Sequence, residues 1–429
     1  MKRPDFSHSR VLLERARRVI PSATQTFSKS WSQFVEGASP NFLERGEGAY
    51  VFDVDGNRFT DYIMALGAIS FGYGWMPMEA AARIQLKKGL VFTMPHPLEI
   101  EVAELLVKTV PCAEMVRFGK NGSDATSGAV RVARAVTGRD KIACCGYHGW
   151  QDWYIASTTR NLGIPKFNKE LIFEFQYNEI NSLKKILDEN PGKIAAVIME
   201  PVGVIEPQDN FLSKVRDLTT KAGALLIFDE VVTGFRMALG GAQELYGVVP
   251  DLSTCGKGMG NGVPISAVVG KREYMEYFDK VFFSFTFGGE ALSLAVCKTV
   301  IEHMDEAFYQ HIWQLGERFK NGYNRLADAL NISQVTDCLG IGPRAIIRFL
   351  DEKGAFSYPM KSYFQQECFK RGELFYGSII PCLAHTEEIV DHSLRVYGQV
   401  MELLADALQK GDLLSRLEGP VIQPIFRKV

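Results

Sequence analysis

Six short, largely apolar runs between residues 100 and 275 restrict what this chain can fold into more than any other feature. Each run has four or five residues, and stretches of helical character separate them. The runs are Met115–Phe118, Ile142–Cys145, Ala195–Met199, Ala224–Phe228, Leu252–Cys255 and Ile265–Val269. Such runs are typical of strands buried on both faces, and helical connections favour parallel pairing. The sequence therefore predicts an α/β fold with a large domain built on a mostly parallel central sheet.

Both ends of the chain predict a smaller α+β domain. Residues 1–20 have a helical pattern, and residues 40–63 alternate apolar and polar side chains around a DGN turn, as a hairpin does. Residues 290–330 predict one long helix that joins two domains, and another helix is expected near Glu387–Gln409. The expected boundaries are an N-terminal segment over 1–70, a large domain over 71–310 and a C-terminal small domain over 311–429.

Composition excludes several classes of function. The net charge of -2 gives no basic face for a nucleic acid, and no apolar run approaches the roughly 18 residues that a membrane helix needs. The eight cysteines form no CxxC pair, and the seven histidines show no spacing typical of metal ligands. The first residues lack the apolar core of a secretory signal. We expect reduced thiols, no metal site and a cytoplasmic enzyme.

Polar residues follow the predicted strands where a ligand site is expected. In open α/β sheets, ligands bind beyond the carboxyl ends of the strands. The residues at these ends include a lysine, two acids, an aromatic residue and a Gly-Ser turn that opens a helix, namely Lys257, Asp229, Glu200, Tyr147, Gly122 and Ser123. This combination provides the groups that pyridoxal 5′-phosphate (PLP) requires.

Lys257 and Asp229 carry the central hypothesis. A partly desolvated lysine between glycines is a nucleophilic amine for the PLP aldehyde, although a surface lysine in a glycine turn has the same local sequence. Asp229 closes a buried run, where a carboxylate needs a cationic partner. The protonated pyridine nitrogen of PLP is one such partner, and Arg236 is the alternative.

The other candidates are weaker when taken singly. Gly122 and Ser123 provide free N–H groups and a hydroxyl for a phosphate, or form an ordinary helix cap. Tyr147 stacks on the cofactor ring or packs in the core. Glu200 bonds near the ring or caps a loop. His148 is equally ambiguous and receives no catalytic role.

The ordered set of motifs resembles the class III aminotransferases, PLP enzymes of fold type I, and within them the glutamate-1-semialdehyde aminomutase-like branch. The similarity runs over nearly the whole chain through GAYVFDVDGNRFTDY, ARAVTGRDKIACCGYHGW, IMEPV, IFDEVVTGFRMALGGAQELYGVVPDLSTCGKGMGNGVP and CLAHTEE. Lys257 and Asp229, 28 positions apart, match the family's Schiff-base lysine and ring-nitrogen aspartate.

The resemblance implies the remaining roles. Gly122 and Ser123 match the phosphate turn, although NGSDA replaces the common SGTEA. Tyr147 matches the stacking aromatic, Val231 the residue behind the ring, and Glu200 the acid near the cofactor oxygen. Thr286 matches a threonine that reaches the phosphate of the neighbouring subunit, which implies a homodimer with shared active sites.

Three departures from the aminomutase pattern bear on the substrate. TFGGEALSLA places Glu290 near the site mouth, Lys29 replaces an arginine of the substrate loop, and Gly377 stands near the place of an active-site acid. We therefore expect an aminotransferase that moves an amino group from a donor, by family analogy glutamate, to a carbonyl acceptor such as a keto-sugar or related metabolite. A glutamate-1-semialdehyde 2,1-aminomutase and an amino-acid racemase or epimerase are the alternatives.

Overall fold

The computed structural model describes residues 4–424 of the chain. The strands are β1 (Leu43–Glu47), β2 (Tyr50–Asp53), β3 (Arg58–Asp61), β4 (Met115–Gly119), β5 (Lys141–Cys145), β6 (Ile172–Glu174), β7 (Ile194–Met199), β8 (Leu225–Glu230), β9 (Leu252–Cys255), β10 (Ser266–Gly270), β11 (Thr336–Ile341), β12 (Arg344–Phe349), β13 (Glu373–Leu374) and β14 (Ser378–Ile379).

The α-helices vary widely in length. They are α1 (Ser7–Val19), α2 (Met64–Gly67), α3 (Met76–Lys88), α4 (Pro97–Thr109), α5 (Gly122–Thr137), α6 (Asp152–Ile155), α7 (Ile180–Glu189), α8 (Phe211–Lys221), α9 (Ala242–Tyr246), α10 (Arg272–Met275), α11 (Ala291–Glu302), α12 (Glu306–Ala329), α13 (Tyr358–Phe369) and α14 (Glu387–Lys410). None of the helices in the described part of the chain has the length and apolar character needed to cross a membrane.

The chain divides into two compact units. The central unit contains Gly67–Ser70 and Met76–Tyr309. The terminal unit contains Phe71–Trp75 together with the described parts of Met1–Leu66 and Gln310–Val429.

A seven-stranded sheet forms the core of the central unit, in the order β4-β10-β9-β8-β7-β5-β6. Strand β10 runs antiparallel to both its neighbours, and the other strands are mutually parallel. The prediction of a mostly parallel sheet is confirmed, and all six predicted runs are strands. The short strand β6 was not predicted.

Both faces of this sheet are buried, as the continuous apolar runs indicate. Along β7, Ala196 and Ile198 pack in a cluster with residues of α5, whereas Val197 and Met199 pack in a second cluster with residues of α7 and α8. Because side chains alternate between the faces of a strand, both faces need apolar residues. Because these strands run in the same direction, the carboxyl ends of β4, β5, β7, β8 and β9 lie at one edge of the sheet.

The terminal unit contains two smaller sheets, in the orders β1-β2-β3-β13 and β11-β12-β14. The predicted hairpin is confirmed, since β2 pairs antiparallel with β3 across the DGN turn. Asp53 stabilises this turn by accepting hydrogen bonds from the Asn57 N–H at 2.7 Å and its amide side chain at 2.8 Å.

The predicted single helix over 290–330 is wrong. The structure has two helices there, α11 and α12, interrupted at residues 303–305. Asp305 accepts a hydrogen bond from the Phe308 N–H at 2.8 Å and thereby starts a new helix. An acceptor at a helix start satisfies an N–H group that has no partner within the helix.

Candidate active site

Asp229, near the end of β8, is buried, and both of its carboxylate oxygens have hydrogen-bond partners. Its Oδ2 lies 2.8 Å from His148 Nδ1, and its Oδ1 accepts from the Val231 N–H at 3.2 Å and from Thr254 Oγ1 at 3.3 Å. The partner is therefore His148, whereas the alternative partner Arg236 donates to the carbonyl of Gly67. These contacts fix the orientation of the carboxylate at the edge of the sheet.

His148 is a buried side chain with one unused polar atom. The residue is about 1% exposed, and its ring stacks with that of Trp153 at a centroid distance of 6.1 Å. Within residues 4–424, its Nε2 has no hydrogen-bond partner. His148 thus orients Asp229 from within the protein, a role that the sequence alone did not assign.

The loop after β5 brings Tyr147 and His148 to the site through two glycines. Gly146 and Gly149 have φ angles of 107° and 105°, in the region that favours glycine. A Cβ on Gly149 would lie 2.4 Å from Cβ of Ser123, so this loop packs closely on the start of α5. This packing places the segments that follow β5 and β4 next to each other.

The first turn of α5 provides donors for an anion. Asn121 caps the helix, and Asp124 accepts from the Asn121 N–H at 2.7 Å. The N–H groups of Gly122 and Ser123, and the Ser123 hydroxyl, donate to no group among the described residues. Free donors at the positive end of a helix dipole suit a phosphate.

Val231 links this turn to the segment that carries Lys257. A Cβ on Gly122 would lie 2.6 Å from Val231 Cγ1, and one on Gly256 would lie 3.5 Å from the same atom. The isopropyl group therefore lies between the two glycines that precede Ser123 and Lys257.

Lys257 has a strained backbone that neighbouring groups hold in place. Its φ angle is 45°, which is unusual for a residue with a side chain. Ser70 Oγ donates to the carbonyl of Gly258 at 3.1 Å, and Asn261 Oδ1 accepts from the Ser70 N–H at 2.8 Å. The turn that presents the lysine is thus fixed by residues distant in sequence.

Tyr147 and Glu200 meet beside the same strand ends. The Tyr147 N–H donates to Glu200 Oε1 at 3.1 Å, and the Tyr147 ring packs edge-on against Tyr154 at 5.7 Å. Burial, and then the charge of Asp229, raise the pKa of Tyr147. Tyr147 exposes 46% of its surface, so its ring remains accessible to a ligand.

Thr286 and Glu290 lie in and after an irregular segment that precedes α11. Thr286 is exposed, and no hydrogen bond joins it to the residues around Asp229 within residues 4–424. Glu290 caps α11 by accepting from the Leu292 N–H at 2.7 Å, and it pairs with Lys120 at 3.1 Å. Burial raises the pKa of Glu290, but bonds from Ser293 and Lys120 outweigh burial and lower the pKa overall.

Comparison with known proteins identifies one family. The family described as "Aminotransferase class-III" matches residues 34–342. A 3-aminobutyryl-CoA aminotransferase of Cloacimonas acidaminovorans is 36% identical over 407 residues, which cover 91% of this chain and 97% of that protein. A glutamate-1-semialdehyde 2,1-aminomutase 2 of Lachnoclostridium phytofermentans is 36% identical over 370 residues, covering 81% and 85%.

A solved structure of a PLP-containing protein also matches this chain. The PLP internal aldimine form of the FumI protein of Sphingopyxis sp. MTA144 matches with a TM-score of 0.86 and 28% identity, covering 96% of this chain and 98% of that one. These matches confirm the predicted fold class and the predicted cofactor, PLP.

The residues present fit PLP. A buried carboxylate with a fixed orientation suits a protonated ring nitrogen, and the free N–H groups of α5 suit the phosphate. Lys257 provides an amine after the neighbouring strand β9, and Tyr147 provides an aromatic face. Each chemical feature of the cofactor has a matching group at this edge of the sheet.

Proposed function

This chain belongs to the class III aminotransferase family, and we propose that it transfers an amino group from glutamate to a small carbonyl acceptor through Lys257 and Asp229. The chain is a PLP-dependent enzyme. When bound, PLP supplies an aldehyde that accepts amines and a ring that stabilises negative charge on the reacting carbon.

The placement of Asp229 and Lys257 at the ends of two adjacent strands carries the proposal. In the β8–β9 ladder Asp229 is paired with Thr254, and Lys257 follows Thr254 by three residues. An acid that keeps the ring nitrogen charged and an amine that attacks the aldehyde must approach one small molecule from two sides. Neighbouring strand ends, with Val231 between them and the start of α5, support that arrangement.

Each side chain then has a defined task. The Lys257 amine binds the cofactor covalently and, once released, moves a proton at the substrate carbon. Asp229 holds a proton at the ring nitrogen, and the Asp229–His148 bond fixes its direction. Gly122 and Ser123 would bind the phosphate, Tyr147 would stack on the ring, Val231 would pack behind the ring, and Glu200 would bond near the ring oxygen.

Several large apolar side chains of the central unit are exposed, as the proposed homodimer requires. Met76 and Met94 are 72% and 75% exposed, and Phe282 and Phe287 are 80% and 58% exposed. Contiguous exposed apolar patches mark interaction sites, and in the proposed dimer these side chains would lie together in the interface. Thr286 lies between the two phenylalanines, where it would reach the phosphate site of a second copy.

The substrate assignment rests on departures from the aminomutase branch. Glu290 is held by α11 and Lys120, and position 377 has no side chain. Glutamate is the proposed donor, and a keto-sugar or related metabolite is the proposed acceptor. The aminomutase remains the second candidate because relatives named so are 36% identical over most of their length.

A half-reaction screen tests this function. The purified PLP form is mixed with single amines, and absorbance records conversion to the pyridoxamine form. We expect conversion by glutamate. Turnover of glutamate semialdehyde without any amine donor would instead indicate the aminomutase. Exchange of the α-proton without the pyridoxamine form would indicate a racemase, and either result contradicts the proposal.

A further inference from the structure

A groove of about 450 Å³ lies in the central unit, between α5 and residues 150–171. Its volume falls within the range of pockets that hold small molecules. Trp153, about 9% exposed, forms part of its wall and donates from Nε1 to Ser127 Oγ at 2.9 Å. This part of the wall is therefore held by the protein itself.

Two arginines of α5 line the groove without an acidic partner. Arg131 and Arg134 are three residues apart, so their side chains are neighbours on the helix surface. Arg131 donates to the carbonyl of Phe282 at 2.7 Å, and Arg134 donates to the carbonyl of Asp140 at 2.8 Å. Within residues 4–424, no ion pair involves either guanidinium group. Each guanidinium group has five N–H donors, so donors remain for an anion.

One acidic residue, Asp152, also lines the groove. It is exposed, and in the described part of the chain it forms no ion pair with the two arginines. The lining side chains therefore carry two positive charges and one negative charge. Guanidinium groups bind phosphate oxygens through two parallel hydrogen bonds, so the pair suits a phosphate group.

Trp150, Gln151 and Asn168 provide contacts for a planar ring beside these arginines. Trp150 is 65% exposed, and an exposed aromatic ring is a surface on which any nucleic-acid base can stack. The amide side chains of Gln151 and Asn168 take part in no hydrogen bond among residues 4–424. Such amides match the paired donor and acceptor on the edge of adenine.

We propose that this groove binds a nucleotide, with its phosphate on Arg131 and Arg134 and its base on Trp150. A phosphate ion would use only the guanidinium groups, and an uncharged ring would use only the indole and the amides. A nucleotide carries both parts in one small molecule. The cofactor's phosphate turn, Gly122 and Ser123, begins α5, whereas the two arginines lie in the second half of that helix.

Calorimetric titration of the PLP-loaded full chain with AMP tests the site, because bound PLP keeps AMP out of the phosphate turn. We expect Arg131→Met combined with Arg134→Met to weaken AMP binding at least about tenfold, the size expected for loss of charged hydrogen-bond donors. Trp150→Ala should weaken it about fivefold or more, as loss of base stacking does. Arg325→Met, at an exposed arginine of α12, should leave binding unchanged.

Adenosine and ribose 5-phosphate test the two halves of the site separately. Adenosine has no phosphate, so it should bind to the double arginine variant within about twofold of the wild type. Ribose 5-phosphate has no base, so Trp150→Ala should not change its affinity. PLP absorbance equal to that of the wild type shows that each variant is folded. Wild-type protein that does not bind AMP, or a double arginine variant that binds it as tightly as the wild type, overturns the inference.

Sedimentation velocity distinguishes a ligand groove from a surface buried between two copies of the chain. If Trp150→Ala separates the subunits and the wild type binds no AMP, the groove belongs to the interface and the inference is wrong. Failure of every amine in the half-reaction screen would refute the proposed function alone, because AMP titration does not depend on turnover.

Discussion

The bond between Asp229 and His148 sets the electrostatics of the site at the scale of single residues. Asp229 is about 4% exposed, and every hydrogen bond described for it comes from the segment directly after β8, from β9 or from the loop after β5. A carboxylate fixed in this way needs no reorganisation when it meets a cation, which is the main source of electrostatic stabilisation in active sites.

Replacement of Asp229 tests its charge. Asp229→Asn keeps the size and one acceptor but removes the negative charge, so the rate of the half-reaction should fall by about a hundredfold or more. Rapid-mixing absorbance with glutamate measures this rate. A rate within threefold of the wild type would show that the charge at position 229 is dispensable.

His148 is expected to act through Asp229. His148→Leu removes the donor to Asp229 Oδ2, and we expect PLP to bind about tenfold more weakly as a result. His148→Gln retains a donor and should recover part of this affinity. Titration of the apoprotein with PLP measures both, with the exposed His303→Gln as the control. Equal affinity in the Leu variant would rule out the positioning role.

Sequence motifs predicted Asp229 and Lys257 but did not predict what holds them. The lysine and the acid lie at strand ends, where a residue-by-residue scan finds them. The partner of Asp229 lies 81 positions away, and Ser70 contacts the Lys257 turn from 188 positions away. Contacts of that kind depend on how the strands and loops pack, which local patterns do not encode.

At the scale of elements, the short strand β13 carries a buried acid. Glu373 is about 1% exposed, and it accepts hydrogen bonds from the Ser393 hydroxyl at 3.0 Å and from Thr60 Oγ1 at 3.1 Å. Burial raises the pKa of Glu373 to about 8. The acid is therefore protonated in the folded chain at neutral pH.

This acid makes stability depend on pH. In the unfolded chain the carboxyl group ionises near its ordinary pKa of 4.5, whereas in the folded chain it keeps its proton up to about pH 8. The folded state binds the extra proton between these values, so the free energy of unfolding should fall as the pH rises from about 4.5 to about 8.

Glu373→Gln tests this dependence. Glutamine resembles the protonated acid, so the free energy of unfolding of the variant should fall less between pH 4.5 and pH 8 than that of the wild type. Near pH 8 the variant should be more stable than the wild type by roughly 2–4 kcal/mol. Urea unfolding at several pH values measures the difference. The exposed Glu402→Gln should keep the wild-type slope. A variant with the same slope as the wild type would contradict a raised pKa at position 373.

Apolar patterns predicted the strands well where both faces of the sheet are buried. The six runs became strands because only apolar residues fit between two helical layers. Strand β6 was missed because its three residues are too short for a pattern, and it is defined by its pairing with β5. The break between α11 and α12 was missed because a single aspartate starts the second helix inside a helical pattern.

At the scale of the whole molecule, the proposed homodimer predicts that charges introduced at its interface weaken both assembly and cofactor binding. Met94→Asp combined with Phe287→Asp places charges at two exposed apolar side chains of the proposed interface, which should shift the protein to monomers and weaken PLP binding about tenfold or more. Sedimentation velocity and PLP titration measure the two effects.

The control for assembly is Leu162→Asp, at a fully exposed leucine. It should leave both assembly and PLP affinity unchanged. A wild-type protein that sediments as a monomer and still binds PLP tightly would refute shared active sites.

Covalent attachment of PLP to Lys257 is the central claim, and borohydride reduction followed by peptide mapping tests it most directly. We predict that the label is found on the peptide containing Lys257, and that Lys257→Ala protein retains no label and loses the half-reaction by at least about a hundredfold. A label on another lysine, or an unlabelled holoenzyme, would contradict the account.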